Sequence, residues 1–133
     1  LKAALGLGIV ITVLLLPCWE AKAAPDLYKC TILQSGQLSG GYVKETQWTQ
    51  AIRQAAGEII FDPSTKRLIH GTSAHPYEVV QRPSQKNGLI AVRIYEGLAS
   101  VVVQTFRIET WAENMPFIFL DQNEVYSGTC NEH

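Results

Sequence analysis

The residues able to do chemistry in this sequence are few, and most of them surround one loop. His70 and His75 flank a segment that contains Thr72 and Ser73, and the hairpin before it carries Asp62. A hydroxyl, an imidazole and a carboxylate in hydrogen-bond reach would make an acyl-transfer set, and two nearby imidazoles could share a metal ion. The same residues also suit a polar, solvent-exposed loop, which is the expectation here. His133 stands at the end of the sequence, where mobility is expected. Glu109 and Glu113 are close in sequence, but no carboxylate pair stands out as the acid and base of glycoside chemistry. G-x-S-x-G, H-E-x-x-H, P-loop and dinucleotide-binding patterns are all missing, so no cofactor and no catalytic metal are expected. Catalysis through His70 or His75 is the least favoured reading.

Cysteine placement is more informative. Cys30 and Cys130 lie about 100 residues apart, without a C-x-x-C pattern, and are expected to form a disulfide rather than two buried thiols. Closing a loop of that length contributes roughly 4–5 kcal/mol in the chain-entropy model. A small domain has only about 5–10 kcal/mol of net stability, so that contribution could decide folding.

The first residues read as an export signal. Lys2 supplies a positive start, Leu5 to Leu16 is apolar, Pro17 ends the run, and Ala21-Lys22-Ala23 offers a small-x-small cut after Ala23. An uncleaved anchor is disfavoured because the run is shorter than the roughly 20 residues that span a bilayer. Leu15-Leu16-Pro17-Cys18 resembles a bacterial lipobox, but Pro stands where a small residue is expected. The expected organisation is therefore a signal over 1–23 and one exported domain over 24–133, periplasmic or secreted and without stable membrane insertion. That domain has nine basic and eleven acidic residues, a net charge of −2. With no basic run, nucleic acid is not an expected partner.

These residues must be held by strands. The longest apolar run of the domain is Gly88 to Trp111, rich in Val, Ile, Phe, Tyr and Thr and broken at Gly97. It reads as a central hairpin. Alternation places Ile90, Val92 and Ile94 on one face of the first arm, with Arg93 and Tyr95 opposite. The second arm places Val102, Phe106 and Ile108 together, with Thr105, Arg107 and Glu109 opposite. A three-residue connection (Glu96, Gly97, Leu98) pairs Val92 with Val102 and gathers all the apolar positions on one side.

Leu27–Leu33, Tyr42–Val43, Glu58–Asp62, Arg67–His70, Tyr77–Gln81, Phe117–Leu120 and Val125–Cys130 read as further short strands. Ser35-Gly36, Ser39-Gly40-Gly41 and Gly71 to Pro76 read as turns or loops. One helix is expected over about 47–56, capped by Thr46 and ended by Gly57, with Trp48, Ala51, Ile52 and Ala55 as a core-facing stripe. The fold class is mainly β: a small antiparallel meander of seven to eight short strands, forming a barrel or sandwich with one short helix and closed by the disulfide.

Large aromatics supply the candidate binding surface. Tyr42, Trp48, His75, Tyr77, Tyr95 and Trp111 are its chosen residues, since exposed aromatics on a small sheet commonly mark contacts. The alternative, which is the expectation for part of the set, is that Trp48 packs on Tyr95 and Trp111 as a second small core. Tyr28-x-Cys30 and Gly128-x-Cys130 around a β-meander resemble the small periplasmic inhibitor and ligand-binding barrels of Gram-negative bacteria, including C-type lysozyme inhibitors. Their Ser- and Gly-containing loop ending in Tyr is matched only by Ser39-Gly40-Gly41-Tyr42, which comes too early in the chain, so the family is not assigned.

The leading functional expectation is an exported, non-enzymatic binding or inhibitory module whose partner is a protein or envelope component. A carrier holding a small apolar ligand inside a barrel is the second. Filling of that interior by Phe106, Ile108, Phe117 and Phe119 argues against it.

Overall fold

The computed structural model describes residues 25–133, so the expected signal segment, with Cys18, lies outside the described residues. The elements run β1 (Tyr28–Ser39), β2 (Tyr42–Lys44), α1 (Gln47–Ala55), β3 (Glu58–Asp62), β4 (Arg67–His70) and β5 (Ser73–Pro76). They continue as β6 (Glu78–Gln81), β7 (Leu89–Glu96), β8 (Val101–Ile108), β9 (Pro116–Asp121) and β10 (Glu124–Glu132). All the pairings are antiparallel, in one sheet of order β5-β4-β3-β1-β10-β9-β8-β7-β6, with β2 laid beside the end of β1. The mainly β, antiparallel expectation holds, but with ten strands rather than seven or eight.

Two stretches read as loops are strands. β1 runs on through Ser35 and Gly36 because β2 folds back on it, pairing Leu38 with Val43. Gly36 permits that contact, since a Cβ there would lie 2.5 Å from Val43 Cγ1 and 3.2 Å from the Lys44 carbonyl oxygen. β5 is short and polar and ends on Pro76, which has no N–H to donate; an edge strand tolerates that.

The central hairpin is present with a different register. Leu89 faces Ile108, Ala91 faces Phe106, Arg93 faces Gln104, and Glu96 faces Val101. Four residues (97–100) connect the arms, not three, and Val92 faces Thr105 rather than Val102. That shift inverts the first arm: Leu89 and Ala91 are buried, while Ile94 is 66% exposed. Arg93 and Tyr95, expected on the outer face, turn toward the interior. The second arm keeps its expected face, with Val102, Phe106 and Ile108 buried.

The sheet is curled, as ring contacts across it require. Phe61 on β3 and Phe106 on β8 are separated by three strands along the sheet, yet their ring centroids are 5.7 Å apart. A flat sheet with strands about 4.8 Å apart would hold them about 19 Å apart. His70 on β4 likewise reaches Phe119 on β9, at 6.0 Å. The enclosed centre is packed by Ile59, Phe61, Phe106, Ile108, Phe117, Phe119 and Tyr126. The ladder does not close, for the path ends at β5 and β6. The chain closes it instead: β5 ends at Pro76 and β6 begins at Glu78, so Tyr77 alone joins the two edges. Its N–H donates to the Lys66 carbonyl at 2.8 Å.

Cys30 and Cys130 form the expected disulfide, facing each other on β1 and β10. These strands also pair from Tyr28–Glu132 to Gln37–Glu124, around a bulge at Leu33. Gly128 sits at that bulge, where a Cβ would run into the Thr31 carbonyl oxygen. Leu27 and His133 exchange two backbone hydrogen bonds of 2.9 Å, so the expected mobile end is pinned.

The helix is capped by Thr46 as expected. Thr46 Oγ1 accepts from the Thr49 N–H at 3.1 Å, and Thr49 Oγ1 accepts from the Thr46 N–H at 3.0 Å. Ala56, not Gly57, is the C-terminal cap, its N–H donating to the Ile52 carbonyl. The buried side is a different one from that expected. Thr49 is fully buried and Ile52 packs on the core, whereas Ala51 and Ala55 are exposed and Trp48 is 63% exposed. Of the first turn only Thr49, held by the capping bonds, is buried, and Gln47, Trp48 and Gln50 are exposed.

Candidate functional site

The curled sheet has two ends, each of which opens into a recess. At one end, inward residues of five strands and of the β5–β6 junction surround a cavity of about 230 Å³. β4 contributes Leu68 and His70, and β5 contributes Ser73 and His75. Tyr77 enters from the junction, β7 supplies Arg93 and Tyr95, β8 supplies Gln104, and β9 supplies Phe119 and Asp121. Alternation explains the grouping. Ser73, His75 and Tyr77 are two apart and share a face, as are Arg93 and Tyr95. Direct pairing of Arg93 with Gln104, and of Gln104 with Asp121, sets one polar row across three strands.

Gln104 is buried at the centre of that row. Its Oε1 accepts from the Tyr77 hydroxyl at 2.7 Å and from Arg93 at 3.3 Å. The Arg93 guanidinium lies over the Tyr95 ring, 4.1 Å from its centroid, a cation–π arrangement. Burial pushes the Tyr77 phenol well above the ordinary phenol range; Arg93 opposes that shift, and Asp121 and Tyr95 add to it. Tyr77 is therefore a neutral donor at any ordinary pH. His70 Nε2 is 3.0 Å from the Ala56 carbonyl oxygen, and its ring packs edge-on against Tyr126. This leaves His70 tied to the backbone after α1, while the His75 ring lines the recess.

The expected binding residues divide three ways. His75, Tyr77 and Tyr95 come together in this recess. Trp111, 54% exposed, lines a larger cleft of about 820 Å³ at the opposite end, with Tyr28, Val79 and Leu89 as apolar wall and Lys66 and Arg82 among its cations. Tyr42 and Trp48 belong to neither. Tyr42 is 79% exposed on β2, and Trp48 Nε1 donates to Glu124 Oε1 at 2.7 Å. The expected small core of Trp48, Tyr95 and Trp111 does not form, because the three residues occupy separate regions. Reading the sequence alone misses Arg93, Gln104 and Asp121. The one signal for them is Gln104 itself, a polar residue between the apolar Val102 and Phe106 on the inward face.

The hydroxyl–imidazole–carboxylate set is not assembled through Asp62. Asp62 faces Arg67 and His70 faces Ile59, placing them at opposite ends of the β3–β4 hairpin. Asp62 is occupied by its own turn: its Oδ1 accepts from Ser64 N–H, Ser64 Oγ and Thr65 N–H at 2.8, 2.6 and 3.2 Å. Among the described residues, no three His, Cys, Asp or Glu side chains are grouped to hold a metal ion. The recess can therefore offer charge, hydrogen bonds and an aromatic face to a guest. Comparison with protein-family models, curated proteins and solved structures finds no match.

Proposed function

We propose that this protein is an exported, non-enzymatic binding or inhibitory module, periplasmic or secreted, that grips a protein or envelope component at the Arg93 recess. One observation carries the reading: three aromatic or imidazole side chains chosen from sequence converge on a guanidinium at one end of a rigid, disulfide-stapled sheet. Arg and Tyr are the residue types most enriched where binding energy concentrates. Export is supported by the Cys30–Cys130 bond, since disulfides persist in oxidising compartments. Among the described residues no helix is long and apolar enough to cross a membrane.

The test is a chemical-shift titration of isotope-labelled protein with fractions of envelope extract. Amides of Arg93, Tyr95, Gln104 and Asp121 should move first, and Arg93→Met should abolish the response. Changes confined to the Trp111 cleft or to α1 would overturn the assignment to this recess.

A second reading, a carrier for a small apolar ligand, is favoured by the larger cleft alone. Its wall of Tyr28, Val79, Leu89 and Trp111 suits an apolar guest, whereas the centre of the sheet is filled by aromatic rings. A guest retained in native mass spectrometry and lost in Trp111→Ala would move the function there.

A further inference from the structure

The recess holds two opposite charges that do not meet. Among the described residues, no carboxylate lies within ion-pair distance of Arg93, whose acceptor is Gln104 Oε1 at a long 3.3 Å. The Asp121 carboxylate, half-buried in the same recess, has no side-chain hydrogen bond and no ion pair among the described residues. The register shows why they stay apart. Arg93 pairs with Gln104 and Gln104 with Asp121, so the two charged residues stand two strands apart, about 9.5 Å between backbones. Gln104 fills the gap below, and its Oε1 is already taken by Tyr77. Stacking on Tyr95 holds the guanidinium in place. Each charge has lost part of its water without gaining the other as compensation, which is costly unless something else supplies it.

We infer that the recess takes a small zwitterion of the α-amino-acid type, its carboxylate on the Arg93 guanidinium and its ammonium on the Asp121 carboxylate. Each charged residue selects against half of the alternatives. A plain anion attracted by Arg93 meets Asp121, and a plain cation attracted by Asp121 meets Arg93. A zwitterion with both charged groups on one carbon satisfies both, leaving its side chain to face His75. The size agrees: a recess of about 230 Å³ has room for a free amino acid. The guanidinium fork matches a carboxylate with two parallel N–H donors, a geometry a lysine would not provide.

This inference rests on the recess being the binding site, and the test separates the two claims. Labelled, disulfide-closed protein is titrated with alanine, acetate and methylammonium at matched ionic strength. Alanine should shift the amides of Arg93, Gln104 and Asp121 and saturate at least tenfold below either single-charge probe. Arg93→Met and Asp121→Asn should each weaken alanine at least tenfold, and Asp121→Asn should bring acetate level with it. Acetate binding wild type as tightly as alanine would make this a simple anion site and overturn the inference, and methylammonium doing so would make it a cation site. If none of the probes binds while Arg93→Met still abolishes the response to envelope extract, the ligand class falls and the binding module stands. If the extract response also survives Arg93→Met, both fall.

Discussion

At the scale of single residues, side chains here are committed to local tasks that fix their titration. Asp62 accepts three hydrogen bonds within its turn, with Ser64 the largest contributor, and its carboxyl is lowered from an ordinary 3.8 to about 2. A depressed folded value means that the turn's contribution is complete above the ordinary value and is lost as pH falls from about 4 through about 2. Carbon-detected NMR should find Asp62 titrating near 2, and Asp62→Asn should remove that part of the acid dependence. The phenols behave oppositely. Burial raises Tyr28, Tyr77 and Tyr126 above the ordinary 10.0, with Glu132 adding at Tyr28 and the Glu124 hydrogen bond adding at Tyr126. The unfolded chain then releases protons that the folded one keeps, so stability falls as pH rises above about 10. Ultraviolet difference spectra should show that Tyr77 and Tyr126 ionise only as the fold is lost.

At the scale of elements, the hairpin β7–β8 decides which side chains enter the recess. Substitutions can read its register directly. Ile94→Ser, on the outer face, should cost no more than about 0.5 kcal/mol in chemical denaturation, as exposed sites do. Phe106→Ala should cost about 3–5 kcal/mol, because it empties a ring-packed position. Equal losses at the two sites would refute the register. Several elements were legible in the sequence: the Asp62–Lys66 turn, the Thr46 cap, the disulfide and the inward face of Val102, Phe106 and Ile108 all follow from local chemistry. The inward face of β7 was not. Counting apolar side chains put Ile90, Val92 and Ile94 inside, yet the four-residue connection turns Leu89, Ala91 and Arg93 inward. A curled sheet is apolar at its middle and polar at its ends, so alternation cannot say where a strand passes from core to mouth. The helix misled for a related reason, since Thr49 with its cap bonds is buried, while of the apolar stripe only Ile52 packs on the core and Trp48, Ala51 and Ala55 are exposed. Arg93 and Asp121 meet only through pairings with Gln104, which sequence distance hides.

At the scale of the whole molecule, one bond spans nearly the whole described chain. Replacing Cys30 and Cys130 with Ala should lower stability by about 2–5 kcal/mol, measured by denaturant unfolding with and without reductant. An unchanged midpoint would mean that the β1–β10 ladder alone suffices. That ladder also bears on how the protein can be made. β1 to β5 form one half of the sheet, β6 to β9 form the other, and the two share no ladder except through β10. A chain emerging from its N-terminus thus has both half-sheets before it has the strand that joins them. Until residues 124–132 are available, β1 and β9 keep open edges and the rings of Phe61 and Phe106 have no reason to meet. Order in translation becomes a delay in folding, because the two half-sheets have no shared ladder until β10 arrives. The same delay makes the unfinished chain the form most exposed to edge-to-edge association, and the one most in need of a chaperone's cover.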